Sequence, residues 1–390
     1  MRILFLLVAL TAVAAPTLPQ GAIEESALET LPGKKPLIKR TYRPPNYESP
    51  VEYFDQVFTP NDKFFVRYHL SDIPKLNLKI WRLTVGGEAA GKPVTFTAAQ
   101  LKHDFKQVEV AALAFCSGNR RGLFNPHVPG VQWANGAMGN ARWKGVRLRD
   151  VLERAGIKKE ALEVVFDGAD GPVNDKTPDF KKSIPLAKAL DDNTIIAFEM
   201  NGKPLHQSQG FPARIVVPGW TATYWVKHVV SIEIVSKSFD GFWMKTAYRI
   251  PKGKFPAVEG HWPGQETDTS VPITEIAVSS LITNIREDQH LRSGHAFQIK
   301  GLAWDGGHGI SKVEFSSDGG KTWQLATLGL DYGKYSWRQF TSRFTPAQPG
   351  SFTIMTRATN SVGATQGNEL VANPAGYHNN VIHSLIVTAD

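Results

Sequence analysis

Cys116 closes an apolar run, VEVAALAF, and is followed by Ser117, Gly118, Asn119, Arg120 and Arg121. A lone cysteine can simply pack as a small hydrophobe. A strand that runs into Ser-Gly-Asn instead delivers the thiol to a loop, where two arginines favour its thiolate form. Such a thiolate serves either as a ligand for a soft metal or as a nucleophile worked by a histidine base. Three other stretches carry polar chemistry on aromatic scaffolding. In Phe64-Phe65-Val66-Arg67-Tyr68-His69 a strand would turn Arg67 and His69 to one face. Trp133 precedes Gly139-Asn140-Ala141-Arg142-Trp143-Lys144-Gly145, and a run from Gly241 to Arg249 includes Tyr248. Each also has a plain reading, an edge strand with solvated charges or a tryptophan core with a basic rim, and none is specific alone.

These residues need a mostly β scaffold. Between 58 and 251, VEVAALAFC, ALEVVFDGAD, IIAFEM and ARIVVPG read as strands, with Asn201-Gly202 as a hairpin turn. Helical patterns are few: FTAAQLKHDF, GVRLRDVLERAG closed by Gly156, and IPLAKAL. This is an α+β domain, expected at 58–251. A Gly/Pro-rich linker is expected at 252–271. From 272 to 390 short alternating strands recur at the spacing of an all-β immunoglobulin-like sandwich. Residues 15–57, rich in Pro and Lys, read as an N-terminal arm wrapping a domain or as a partly disordered lead-in.

Taken in order, FFVRYH, AFCSGNRR, the tryptophan followed by GNARW, FEMNGKPL, GFPARIVVPG, VKHV, FWMKTAY and GLAWDGG resemble the sulfite oxidase family over about 58–390. Within it the chain is most similar to the molybdenum-binding subunit of bacterial periplasmic sulfite dehydrogenases. The resemblance implies oxidation of sulfite to sulfate at a molybdenum–molybdopterin centre. Its metal would be bound by the thiolate of Cys116. Arg67, His69, Arg121, Trp133 and Tyr248 match the positions around the substrate anion. Phe65, Val66, Arg67, Tyr68, His69, Asp170, Ser183, Gln209, Arg214, Trp225, Val226 and Lys227 match those holding the pterin and its phosphate; Gln209 stands where some relatives have histidine. Animal members carry an arginine near the C-terminus that reaches the anion, and the resemblance sets Ser384 at that position. It also implies that the C-terminal domain forms a homodimer.

The rest of the sequence bounds these implications. MRILFLLVALTAVAA reads as a signal peptide, expected at 1–14, without paired arginines, and points to a periplasmic protein. No segment reaches the roughly 20 apolar residues of a membrane span. A formal charge of +8 favours anionic partners, yet no nucleic-acid module is recognisable. One cysteine cannot make the C-x-x-C-H of a c-type heme, and the residues before Pro60 are too few for the heme module of animal members. No heme is therefore expected in this chain, and its electrons are expected to go to a separate c-type cytochrome. Two other readings stand beside sulfite oxidation: nitrate or sulfoxide reduction on the same cofactor, and an exported binding protein whose cysteine only packs.

Overall fold

The computed structural model describes residues 27–255, 262 and 264–390, so the expected signal peptide lies outside the described residues. The strand Gln107–Phe115 alternates at first and is then buried on both faces over its last four residues. It pairs along its whole length with Met138–Arg147. Ile195–Met200 continues that sheet and takes Arg214–Val216 and Lys203–Pro204 on its outer side. The register puts Met200 opposite Lys203 across Asn201-Gly202, both at positive φ, as a tight two-residue hairpin requires. A second sheet runs in the order Lys181–Pro185, Glu163–Gly168, Val229–Val235, Arg82–Gly86 and Val94–Thr97. The helices Ala98–His103, Leu148–Ala155 and Leu186–Ala189 lie where the sequence places them. Thr97 and Gln100 cap the first reciprocally, and Gly156 at φ 76° ends the second.

The N-terminal arm is part of the fold from residue 27 on. Strands Ala27–Glu29, Leu37–Thr41 and Asn46–Glu48 form a sheet with Val66–Arg67. Glu48 is fully buried and accepts from the Arg40 side chain at 2.8 Å and from the main-chain N–H groups of Ala134 and Gly136 at 2.9 and 2.6 Å. The arm thereby clamps the loop that carries Trp133. Gly136 is required there, since a Cβ would lie 1.8 Å from the Ser49 carbonyl. Glu48→Ala is expected to cost about 3–5 kcal/mol, because the buried Arg40 loses its carboxylate. Chemical denaturation checks this; a loss below about 1 kcal/mol would mean that Glu48 does not clamp the loop.

Two facing sheets make the C-terminal domain. One holds Ser279–Ile282, Phe297–Trp304, Arg338–Phe344 and Thr327–Leu328; the other Gln289–Leu291, His383–Ala389, Gly350–Asn360, Ile310–Ser316 and Gln324–Leu325. Ile299 and Phe344 of the first meet Phe315, Ile354 and Val387 of the second in one buried cluster, as in a β-sandwich. The two domains share a core: Phe54, Leu113, Phe115 and Met138 pack with Leu302, Trp304 and Trp337. Trp262, within the segment read as a linker, is buried against Trp220 and Tyr224 of the first domain. Among the described residues no helix is long and apolar enough to cross a membrane.

Where the sandwich meets the Cys116 loop, two histidines are buried. The main-chain N–H of His378 donates to the Ser117 carbonyl at 3.4 Å, and among the described residues neither ring nitrogen has a hydrogen-bond partner. Burial holds the His378 ring at about 4; burial together with Arg120 holds His383 at about 3. Both folded values lie below the usual 6.5, so between them the unfolded chain binds the additional protons. The stability these neutral rings contribute is complete above about pH 6.5 and is lost as the pH falls through that window. By about pH 4 the loss reaches on the order of 3 kcal/mol for each ring. Urea unfolding should show a midpoint that drops with acidity, and less so in His378→Leu; equal acid sensitivity in that variant would overturn the assignment to His378.

Candidate active site

Cys116 sits at the end of its strand, its N–H bonded to the Ala137 carbonyl at 3.0 Å. Its own carbonyl accepts from Asn119 N–H at 2.9 Å, which turns the chain at once. Gly118 lets the Arg121 guanidinium fold back over this turn, because a Cβ there would stand 2.7 Å from it. Cys116 is 8% exposed and belongs to the walls of two pockets. Arg67 and Tyr248 are the other residues common to both.

The deeper of the two pockets is walled by aromatic and charged side chains. Of the residues expected at the cofactor, Phe65, Arg67, Tyr68, His69, Asp170, Gln209, Arg214, Trp225, Val226 and Lys227 line this one pocket together with Cys116. Arg214 lies 5.1 and 5.7 Å from the Trp143 and Trp225 rings and donates to the Gln209 and Trp225 carbonyls at 3.2 and 3.0 Å. Among the described residues its Nε has no acceptor. Burial brings this guanidinium down to about 9. Lys227 lies 3.1 Å from the centre of the Tyr68 ring and donates to the Ser208 carbonyl at 3.0 Å. Burial, then Arg214, pushes its ammonium well below the usual range. Asp170 is the carboxylate in this lining, and burial raises it to about 6 against the pull of Lys227. Among the described residues the buried hydroxyls of Ser117 and Thr223 also lack hydrogen-bond partners. A cluster of crowded cations with spare donors suits a phosphate-bearing group, which would compensate the charge and take the free N–H and O–H groups. Among the described residues no group of three or more His, Cys, Asp and Glu could hold a metal ion. A metal at Cys116 would therefore take its remaining ligands from such a cofactor.

The outer pocket holds Arg67, Arg121, Trp133 and Tyr248 together with Cys116. Arg121 donates from Nε to the Ala375 carbonyl at 2.8 Å and from Nη1 to the Val131 carbonyl at 3.2 Å. The indole N–H of the fully buried Trp133 has no acceptor among the described residues. Two guanidinium groups and an unused N–H in one aromatic pocket are a receptor for a small anion. Tyr248 sits at φ 60°, an uncommon conformation for a bulky side chain that marks a place held by its surroundings. Its hydroxyl lies 3.5 Å from Arg67 Nη2 and in short contact with His69 Nε2. The His69 ring stacks on Phe180 at 3.5 Å. Burial, then the charges of Arg67, Lys227 and Lys182, holds His69 well below its usual value, so it is neutral and can share the phenolic proton. Behind Tyr248 the fully buried Lys182 donates to the Trp243 carbonyl at 2.6 Å and faces the Tyr224 and Tyr248 rings.

The chain matches the families described as "Oxidoreductase molybdopterin binding domain" over residues 69–243 and "Mo-co oxidoreductase dimerisation domain" over 270–390. It is 32% identical to sulfite oxidase of Arabidopsis thaliana over 78% of this chain and 79% of that one. The chain belongs to the sulfite oxidase family. A molybdopterin-binding domain thus precedes a dimerisation domain along this chain. The chain is also 36% identical to the mitochondrial sulfite oxidase of Homo sapiens over 76% of its length, spanning 54% of that protein, about half. Nitrate reductase of Hordeum vulgare is 31% identical over 71% of this chain and 33% of that one. Among solved structures, the sulfane dehydrogenase SoxCD from Paracoccus pantotrophus superposes with a TM-score of 0.76 at 26% identity, over 89% of this chain and 85% of that one.

Two of the residues expected at the cofactor stand outside both pockets. Val66 points into a separate cluster with Leu37, Tyr47 and Tyr53, because strand alternation sends it to the face opposite Arg67. Ser183 is buried in Lys181–Pro185 opposite Val165. Ser384, set by the resemblance at the C-terminal arginine position, is exposed on the last strand opposite Met355. The C-terminal domain reaches the outer pocket with Ala375 and Tyr377 instead. Sequence reading missed both, since a Pro-Ala-Gly-Tyr loop carries no periodic or motif signal. It also missed Phe180 and Trp243, which form the aromatic wall next to His69.

Proposed function

We propose that this enzyme oxidises sulfite to sulfate, with Cys116 as the protein ligand of the metal. The observation that carries the reading is the position of Cys116 between a cation-lined cofactor pocket and an arginine–aromatic anion pocket. When bound, the molybdenum–pterin group supplies the oxygen atom and takes up two electrons. The chain's own residues bind, orient and move protons. Arg214 and Lys227 hold the cofactor's phosphate. Arg67 and Arg121 would hold the sulfite oxygens and leave its sulfur lone pair free to receive the oxygen that the cofactor supplies. Trp133 and Tyr248 supply N–H and O–H donors, and neutral His69 accepts or returns the Tyr248 proton. Sulfite and water together yield sulfate, two protons and two electrons, so regeneration of the centre releases protons at this same site.

The electrons leave singly for a c-type cytochrome, with no heme in this chain, and the chain's net positive charge favours an acidic docking face on that partner. The enzyme works in the periplasm after export, and two chains pair through the C-terminal domain. Domain bounds of 58–251 and 272–390, joined by a linker at 252–271 and preceded by an arm at 15–57, belong to the same reading. Steady-state assays of purified, molybdenum-loaded protein test it: sulfite should reduce cytochrome c, whereas nitrate and methionine sulfoxide should not turn over with a reduced dye. Nitrate turnover without sulfite oxidation would replace this reading by the nitrate-reducing one, toward which the likeness to the barley enzyme points.

A further inference from the structure

The outer pocket is closed by a segment that folds with the other domain. The Asn373 side chain accepts from the Tyr377 N–H and donates to the Tyr377 carbonyl, both at 2.9 Å, which fixes a tight turn over Pro374-Ala375-Gly376. Arg121 ties the turn down through the Ala375 carbonyl, and its guanidinium lies over the Tyr377 ring at 5.3 Å. The Tyr377 ring stacks on Tyr248 at 5.4 Å with only 10° between their planes. The hydrogen bonds that Tyr377 makes in the structure are those of its main chain, while its side chain lines the pocket with Arg67, Cys116, Arg121 and Trp133.

We propose that Tyr377 is an anion-binding residue, a neutral O–H donor that the C-terminal domain presents to the oxygens of substrate and product beside the two arginines. The inference rests on the sulfite reading for its substrate but on the pocket's geometry for its chemistry. The phenol suits this role because it cannot leave as a counter-charge: burial, then Tyr248, raises its pKa, so it stays protonated as a donor. A hydroxyl in place of a third cation lets the pocket take hold of a dianion without retaining sulfate, whose release must keep pace with turnover. It also makes the pocket incomplete without the C-terminal domain.

Tyr377→Phe keeps the ring stack and removes only the oxygen. In the full-length, metal-loaded protein, calorimetric titration with sulfate should show affinity weakened about tenfold, the size of one hydrogen bond to a charged acceptor. KM for sulfite should rise by about the same factor while kcat stays within about twofold, a split that a loss of packing would not produce. Tyr377→Leu, which also loses the stack, should weaken sulfate no less than Tyr377→Phe. If the wild type oxidises little sulfite but Tyr377→Phe still weakens sulfate binding, the anion role stands and the sulfite reading falls. Equal sulfate affinity in wild type and Tyr377→Phe, or no measurable binding in either, overturns the role whatever the turnover.

Discussion

Cys116→Ser should leave a folded protein that retains pterin and has lost essentially all sulfite oxidation. Folding survives because the turn at residue 116 is held by main-chain bonds to Ala137 and Asn119, which a serine keeps. Pterin survives because the cations expected to hold its phosphate, Arg214 and Lys227, are anchored by their own bonds to Gln209, Trp225 and Ser208. Activity does not survive, because a hydroxyl oxygen is a harder and weaker donor to the metal than a thiolate. Losing a group that merely supports a metal ligand costs about 10–100-fold, and losing the ligand itself costs more. Metal and pterin analysis alongside steady-state kinetics makes the measurement. Near-normal turnover in the variant would remove Cys116 from the metal.

The second large effect is expected at Arg67. Its guanidinium is anchored before any ligand arrives: Nη1 donates to Asn46 Oδ1 at 3.1 Å and to the Tyr68 carbonyl, and Nη2 faces the Tyr248 hydroxyl. A donor held in this way spends little entropy on binding, so its charge-assisted contact with the anion is worth about 1.5–3 kcal/mol. Arg67→Gln should therefore raise KM for sulfite roughly 10- to 150-fold, with a smaller fall in kcat. Tyr248→Phe is expected to do the reverse. It leaves both guanidinium groups in place and removes the hydroxyl that His69 and Arg67 share, so turnover and its pH profile should move more than KM. Wild-type constants in both variants would mean that the anion binds elsewhere. A thermal melt of Arg67→Gln separates lost binding from lost folding, since this side chain also ties Asn46 of the N-terminal sheet to the site.

What the sequence could and could not reveal follows from how far apart the cooperating residues are along the chain. Strand alternation, the Asn201-Gly202 turn and the Gly156 helix stop are local, and each is read correctly because a few adjacent residues decide it. The strand-to-loop passage at Cys116 is local too, whereas the strand read through Arg67 and His69 ends at Arg67, and His69 reaches the same pocket from the bend beyond it. The family resemblance extended that reading to residues scattered from Phe65 to Tyr248, and most of them do converge on two adjoining pockets. Its failures are also physical. Val66 belongs to the same motif as Arg67 and His69, but the period of two in a strand turns it away from them.

Only the tertiary structure decided what surrounds these residues. The arm's composition reads as an extended arm or a partly disordered lead-in, yet Glu48 is its buried anchor, because its carboxylate meets Arg40 and two N–H groups nearly ninety positions further on. The linker composition gives no sign that Trp262 would stack into the first domain. Ser384 and Tyr377 are close in sequence, but the sandwich sends one to solvent and the loop before it carries the other onto Tyr248. By itself the sequence determined the elements and singled out Cys116 and the arginines that share its pockets. The long-range packing of two domains decided which side chains face the anion, since burial and pocket shape depend on contacts between residues that no local pattern brings together.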